Sequence, residues 1–436
     1  MRSSQLAFPA FLLSAAACTE SAFELQLPPG YGDGLAGRAF TSGGTHYAVA
    51  DFQSESLRLT FDVPAHMALA HAELQFRATE TGSPLFRLTP APTTALLDGQ
   101  PIHVTAVRDP DDVATFLSLG SKLPGGSDHV LVVEYPLPDV SYSASGVDFA
   151  TSMLDVDIDP LRPPRFFDAY GPAGIEADQF QLSVELTLVG AGAPHRLFSN
   201  GSQVLTASDR WMIEFPDYFS TSSFFFHLTE APLVARELSY HGLERDIPIT
   251  VYGQDAADTD DAIARLPGMF AELESEFGPY LHTAFTARIR LDTFSMEYAG
   301  AAETSLGALH HELCHSWFGR GVLPADGRSG WIDEAICTWH DLGPPRTPSS
   351  ALESTNLANF SIWYQETPGA PHVPGMFLMS DLDRGLADQG GLLPILRALY
   401  ARWRGKPITT EQFLTFLDAN AGSSFDAELQ NRVYGR

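Results

Sequence analysis

His311-Glu312-Leu313-Cys314-His315 is the stretch on which the reading of this chain turns. Two histidines four apart on a helix stand about 40° from each other around the axis, so both imidazoles leave one face. Such a pair supplies two of the three protein ligands of an open zinc site, whose nitrogen ligands sit about 2 Å from the ion. The glutamate between them lies beside the ion without easily binding it, placed to take a proton from water. The alternative is a surface helix that carries two histidines by chance, and the downstream sequence argues against it. Glu334 lies nineteen positions after His315 and begins a second apolar-periodic segment, Ile332 to Leu342. A carboxylate from a second helix is the ligand that a His₂Glu site still needs.

The pattern extends past the ligands. His315 is followed by Ser316-Trp317-Phe318-Gly319, and Glu334 sits in Trp331-Ile332-Asp333-Glu334-Ala335. HELCHSWFG followed at this distance by WIDEA resembles the aminopeptidase N family of gluzincin metallopeptidases, in a short form without the C-terminal helical-repeat domain. The resemblance implies one Zn²⁺ held by His311, His315 and Glu334, with Glu312 as the base. It also implies a β-domain ahead of a thermolysin-like catalytic domain.

At 436 residues the chain is long enough for two or three domains with full cores and no need of disulfides. A net charge of -28 excludes nucleic-acid binding, which requires a basic stripe facing phosphates. Lys122 and Lys406 are the only lysines, so arginine supplies nearly all the positive charge. Residues 1–18 read as an export signal: Arg2, an apolar run from Leu6 to Leu13, then Ala15-Ala16-Ala17 before Cys18. The run is too short to span a bilayer. Ala-Ala-Ala-Cys is also a permissive lipobox, so two destinations stay open. One is a bacterial envelope anchor through lipid on Cys18; the other is a periplasmic or secreted protein.

From 19 to 235 the chain reads as β-rich. Leu57 to Val63, Ala72 to Ala78, His129 to Tyr135 and Gln181 to Leu188 alternate apolar and polar residues. Asp98-Gly99 between Leu96-Leu97 and Ile102-His103-Val104 is a hairpin signal. Such strands, separated by Gly and Pro, predict an all-β N-terminal domain built as an antiparallel sandwich or saddle of sheets. Asp155, Asp157 and Asp159 share one face of a strand; the run lacks the glycine and final glutamate of a calcium loop and reads as a solvated face. From 236 to 436 the pattern changes. Ile247 to Tyr252 and Arg288 to Leu291 predict strands. Asp255 to Phe277, Gly375 to Gly385, Gly391 to Trp403 and Thr409 to Asn420 predict helices. The whole is a multidomain chain whose second part is an α+β domain.

Further roles follow from the resemblance. Ser295-Met296-Glu297-Tyr298 is similar to the family's edge strand along the substrate cleft, which implies that Glu297 binds the free amine of a peptide. The family's oxyanion-binding tyrosine aligns with His372; Tyr364, eight residues earlier, is the other candidate. Ala299 to His310 is a shorter connection than usual and predicts a more open cleft. Small residues stand where Cys314 and Cys337 do, so buried thiols or a disulfide both fit. The expected function is zinc-dependent hydrolysis of peptide substrates, as an aminopeptidase. Two alternatives stand beside it: an endopeptidase with an open cleft, and a non-catalytic zinc-binding envelope protein on a peptidase scaffold.

Overall fold

The structure is a computed structural model that describes residues 39–108, 115–151, 167–174, 178–220, 223–325, 328–343, 355–359, 371–421 and 426–435. Residues 1–18 with Cys18, the aspartates at 155, 157 and 159, and Tyr364 lie outside the described residues.

Alternation builds the first half. In the strand Asp51–Asp62, Leu57, Leu59 and Phe61 face inward and are at most 1% exposed, while Ser56 and Arg58 face out. That strand is central in an eight-stranded sheet, between Met67–Arg77 and Gln181–Val189. A five-stranded and a four-stranded sheet complete this half, and no α-helix precedes Ala256 among the described residues. The four-stranded sheet is antiparallel as expected, but the eight- and five-stranded sheets are mixed. Gln181–Val189 runs parallel to Asp51–Asp62, and Thr45–Val49 runs parallel to Ser83–Phe86. Hydrophobic alternation records which face is buried but not strand direction, and the long chain excursions here permit parallel neighbours. The Asp98-Gly99 turn forms as read, with φ of 50° and 75°, but its second arm is only Gln100–Pro101.

In the second half a five-stranded sheet runs in the order Val234–His241, Asp246–Gly253, Phe285–Arg290, Ala301–Ser305 and Met296–Tyr298. The long helix Ala256–Phe277 starts where Asp255 accepts the Asp258 N–H and ends where the Gly278 N–H donates to Glu274 O. Ala262, Leu266, Phe270, Leu273 and Phe277 form its fully buried stripe. Ile332–Leu342, Val373–Gly385, Leu393–Trp403 and Thr410–Ala421 are helical close to the expected bounds, and Asp426–Tyr434 is a further helix that the sequence reading missed.

The stretch between Glu297 and His311 is not the short loop expected. It turns at Gly300, at φ 74°, and returns as the inner strand Ala301–Ser305. Sequence alternation could not reveal it, because Ala301, Ala302, Glu303 and Thr304 are all fully buried. The one charge among them, Glu303, is held by Arg288 at 2.8 Å and Arg290 at 2.7 Å.

The halves meet through a small aromatic cluster in which Phe198 stacks on Tyr252 with ring centroids 3.7 Å apart. Asn200 adds polar stitching: its Nδ2 donates to Ala299 O at 2.8 Å, and its Oδ1 accepts the Phe225 N–H. No helix among the described residues is long and apolar enough to cross a membrane.

Candidate metal centre

The helix Leu309–Cys314 is short, and His315 closes it with helical φ and ψ of -60° and -17°, so His311 and His315 keep their one-turn spacing. Leu309, Leu313, Cys314 and Trp317, all fully buried, fix its inner face. Glu334 comes from the first turn of Ile332–Leu342, which packs beside it. His311 Nε2 lies 3.2 Å from His315 Nε2 and 3.4 Å from Glu334 Oε2, and His315 Nε2 lies 3.7 Å from the same oxygen.

These separations bear on whether zinc fits. Ligands about 2.0–2.1 Å from a tetrahedral ion stand about 3.3–3.4 Å from one another. Glu334 Oε2 is buried and makes no well-formed hydrogen bond, although three imidazole nitrogens surround it. Nitrogen and carboxylate oxygen atoms that converge on a common point at these separations suit a cation between them, and two imidazoles with one carboxylate are a zinc donor set. The three residues therefore fit the ion that the sequence pattern implies. Burial alone would raise the Glu334 carboxyl, but the imidazoles of His315, His311 and His372 outweigh it and hold the group well below the usual range. Glu312, on the same short helix, is 5% exposed. Burial, joined by the Glu297 and Glu334 charges, raises its carboxyl well above the usual range against the opposing pull of His311.

His372 is the residue before Val373–Gly385, with Nδ1 3.0 Å from Glu334 Oε2 and its side chain about one third exposed. It therefore stands against a ligand carboxylate at the rim of the centre. Glu297 lies on the edge strand Met296–Tyr298, with a carboxylate oxygen within 4.8 Å of both His315 and Asp333 ligand atoms. Its Oε1 accepts a hydrogen bond from Arg320 Nη2 at 2.7 Å, and Arg320 is fully buried. Cys314 and Cys337 are buried thiols whose Sγ atoms meet at 2.7 Å between the two ligand helices.

Two residues at the centre were given no part by the sequence reading: Asp333 stood inside a quoted motif, and Arg320 lay just beyond one. Arg320, directly after the Trp-Phe-Gly run, is the partner of Glu297. Asp333, next to Glu334, is 3% exposed and has Oδ2 3.8 Å from His315 Nδ1, while its Oδ1 accepts the Glu334 N–H. At 3.8 Å this is a close approach and not a hydrogen bond, and His315 Nδ1 is buried without a partner. Burial, reinforced by Glu334 and Glu297, lifts the Asp333 carboxyl to about 8. Gly319 makes this approach feasible: at φ 104°, a Cβ there would sit 2.6 Å from Asp333 Oδ2. A glycine before a charged residue and an aspartate beside the ligand were the available signals.

No family model matches the chain, and no curated protein matches it in sequence. Its structural neighbours are M1 zinc metallopeptidases, related to aminopeptidase N, and LTA4 hydrolase; the chain shares their fold. An M1 zinc metallopeptidase variant from Deinococcus radiodurans bound to a Tyr-Ser-Ala substrate superposes with a TM-score of 0.66 at 19% identity, over 89% of this chain and 95% of that one. A two-domain M1 zinc metallopeptidase variant bound to L-arginine gives 0.65 at 18%, over 89% and 94%. Native yeast LTA4 hydrolase gives 0.66 at 12%, over 88% of this chain and 68% of that one.

Proposed function

We propose that this protein is a zinc-dependent peptide hydrolase, exported from the cytoplasm, that acts on the N-terminal residues of peptides. One observation carries the reading: His311 Nε2, His315 Nε2 and Glu334 Oε2 converge at 3.2–3.7 Å, with a buried carboxyl on the same short helix. Zinc held by these three side chains would supply Lewis acidity toward a peptide carbonyl and toward water. Glu312 takes a proton from the attacking water and passes it to the leaving amine. His372 donates to the carbonyl oxygen as negative charge gathers there, with Tyr364 the alternative donor; one such donor is worth about 3–4 kcal/mol where measured by removal. Glu297 receives the substrate ammonium.

A specific contact favours a second reading. Arg320 already offsets the Glu297 charge, so an ammonium gains less there than at a bare carboxylate. A chain that continues past this point is then rejected less strongly, as an endopeptidase requires. The zinc-loaded protein and Glu312→Gln should be compared on aminoacyl-coumarins and on N-blocked, internally quenched peptides. Glu312→Gln is expected to lose about 10²–10⁴ in kcat with zinc content unchanged. Faster cleavage of N-blocked peptides would move the assignment to endopeptidase. If the wild type cleaves neither set, the hydrolase reading fails and the non-catalytic alternative replaces it.

A further inference from the structure

A second group of metal-binding side chains lies between the long helix and the two helices that carry the first set. Glu272 and Glu276, four apart, share one face of Ala256–Phe277. His310 belongs to Leu309–Cys314, and His340 and Asp341 to the last turn of Ile332–Leu342. His340 Nε2 and Glu276 Oε2 are hydrogen-bonded at 2.5 Å, a contact that an ion between them must open by about 1 Å, and ligand atoms of Glu272, Glu276 and His340 all fall within 4.8 Å of one another. His310 Nε2 approaches Glu272 Oε2 to 3.7 Å, and its ring stacks on that of His340 with centroids 5.3 Å apart.

The surroundings of His310 are an independent observation. Its Nδ1 lies 3.1 Å from Asp341 Oδ1, so the ring proton sits there and donates to the carboxylate. Nε2 is buried without a hydrogen-bond partner while facing Glu272. A histidine anchored by a carboxylate on one nitrogen and bare on the other is arranged as a metal ligand. His340, with a side chain only 7% exposed, is held against Glu276 in the same cluster.

The geometry points to a second site for a divalent transition ion of the zinc type, ligated by His310, His340, Glu272 and Glu276 and oriented by Asp341. Two imidazoles with two carboxylates match zinc and its neighbours; calcium and magnesium take oxygen ligands throughout. The ion ties Ala256–Phe277 to both helices that hold His311, His315 and Glu334, and its effect is on stability rather than on the reaction. None of its ligands belongs to the proposed peptidase machinery, so the site stands independently of that reading.

Metal counting on the full chain tests it. The protein is saturated with zinc chloride, freed of excess by gel filtration at micromolar free zinc, and assayed by plasma mass spectrometry. Wild type is expected to hold two equivalents, and His340→Ala and Glu272→Gln one each. Glu272 is 53% exposed, so its substitution leaves the fold intact even if loss of His340 does not. Zinc added to protein already holding one equivalent should raise Tm by several degrees in wild type and not in Glu272→Gln. One equivalent in wild type, or two in both variants, overturns the proposal. Loss from Glu272→Gln with no loss from His315→Ala would instead unseat the first centre and leave this one standing.

Discussion

Gly375→Ala probes how two helices hold the rim of the metal centre. A Cβ built on Gly375 falls 2.7 Å from Ala335 Cβ and 3.1 Å from Ala335 Cα. Carbon atoms rest about 3.5–4.0 Å apart, so Val373–Gly385 and Ile332–Leu342 must separate by about 1 Å. Ala335 follows Glu334, and Gly375 lies three residues after His372, so the displacement falls on the 3.0 Å approach of His372 Nδ1 to Glu334 Oε2. Overpacking costs about 1–3 kcal/mol, and replacing a helical glycine by alanine returns up to about 1 kcal/mol. The net loss of stability is therefore about 1–2 kcal/mol. Activity should fall further, because a misplacement of about 1 Å at a reacting centre costs about 10²-fold. Urea unfolding and peptide-cleavage kcat/KM read the two effects. Adding Ala335→Gly removes the struck Cβ and should recover both, with a favourable coupling of about 1 kcal/mol or more. If Gly375→Ala is as stable and active as wild type, or the double variant merely sums the single losses, this contact does not set the position of His372.

Three other perturbations have defined outcomes. Asp333→Asn should weaken zinc retention about 10–100-fold in chelator competition if the carboxyl 3.8 Å behind His315 closes on that imidazole once an ion is bound, and unchanged retention would refute such a role. Burial drives His282 down to about 3 against the Ser316 carbonyl that would favour its charged form. The unfolded chain then binds the extra proton between about pH 6.5 and that value, so stability falls as pH falls through this window, by up to about 1.4 kcal/mol per unit. His282→Gln should flatten this slope in urea titrations at pH 5 and 8, and an unchanged slope would refute the assignment. Asn200→Ala should cost about 1–3 kcal/mol, since it strands the Phe225 N–H and the Ala299 carbonyl between the two halves; a loss within error would show that water replaces the side chain.

Much of the fold was legible because it is locally encoded. Alternating runs such as Asp51–Asp62 and the capped, striped helix Ala256–Phe277 declare their own geometry. The strand Ala301–Ser305 was hidden for the opposite reason. It is inner and buried on both faces, and its one charge is neutralised by arginines thirteen and fifteen residues away. Parallel pairing in the first half was equally invisible, since alternation carries no direction.

The same division runs through the candidate centre. Helical period alone puts His311, Glu312 and His315 on one turn, and the next apolar-periodic segment supplies Glu334. Their joint presence was therefore readable from spacing. What surrounds them was decided in three dimensions. Arg320 lies twenty-three residues from the Glu297 it neutralises, His372 comes from a third helix to meet Glu334, and Asp333 reaches His315 across the gap that Gly319 leaves open. None of these contacts has a sequence period, because each depends on how separate elements pack. They set the charge and the hydrogen-bond donors around the centre.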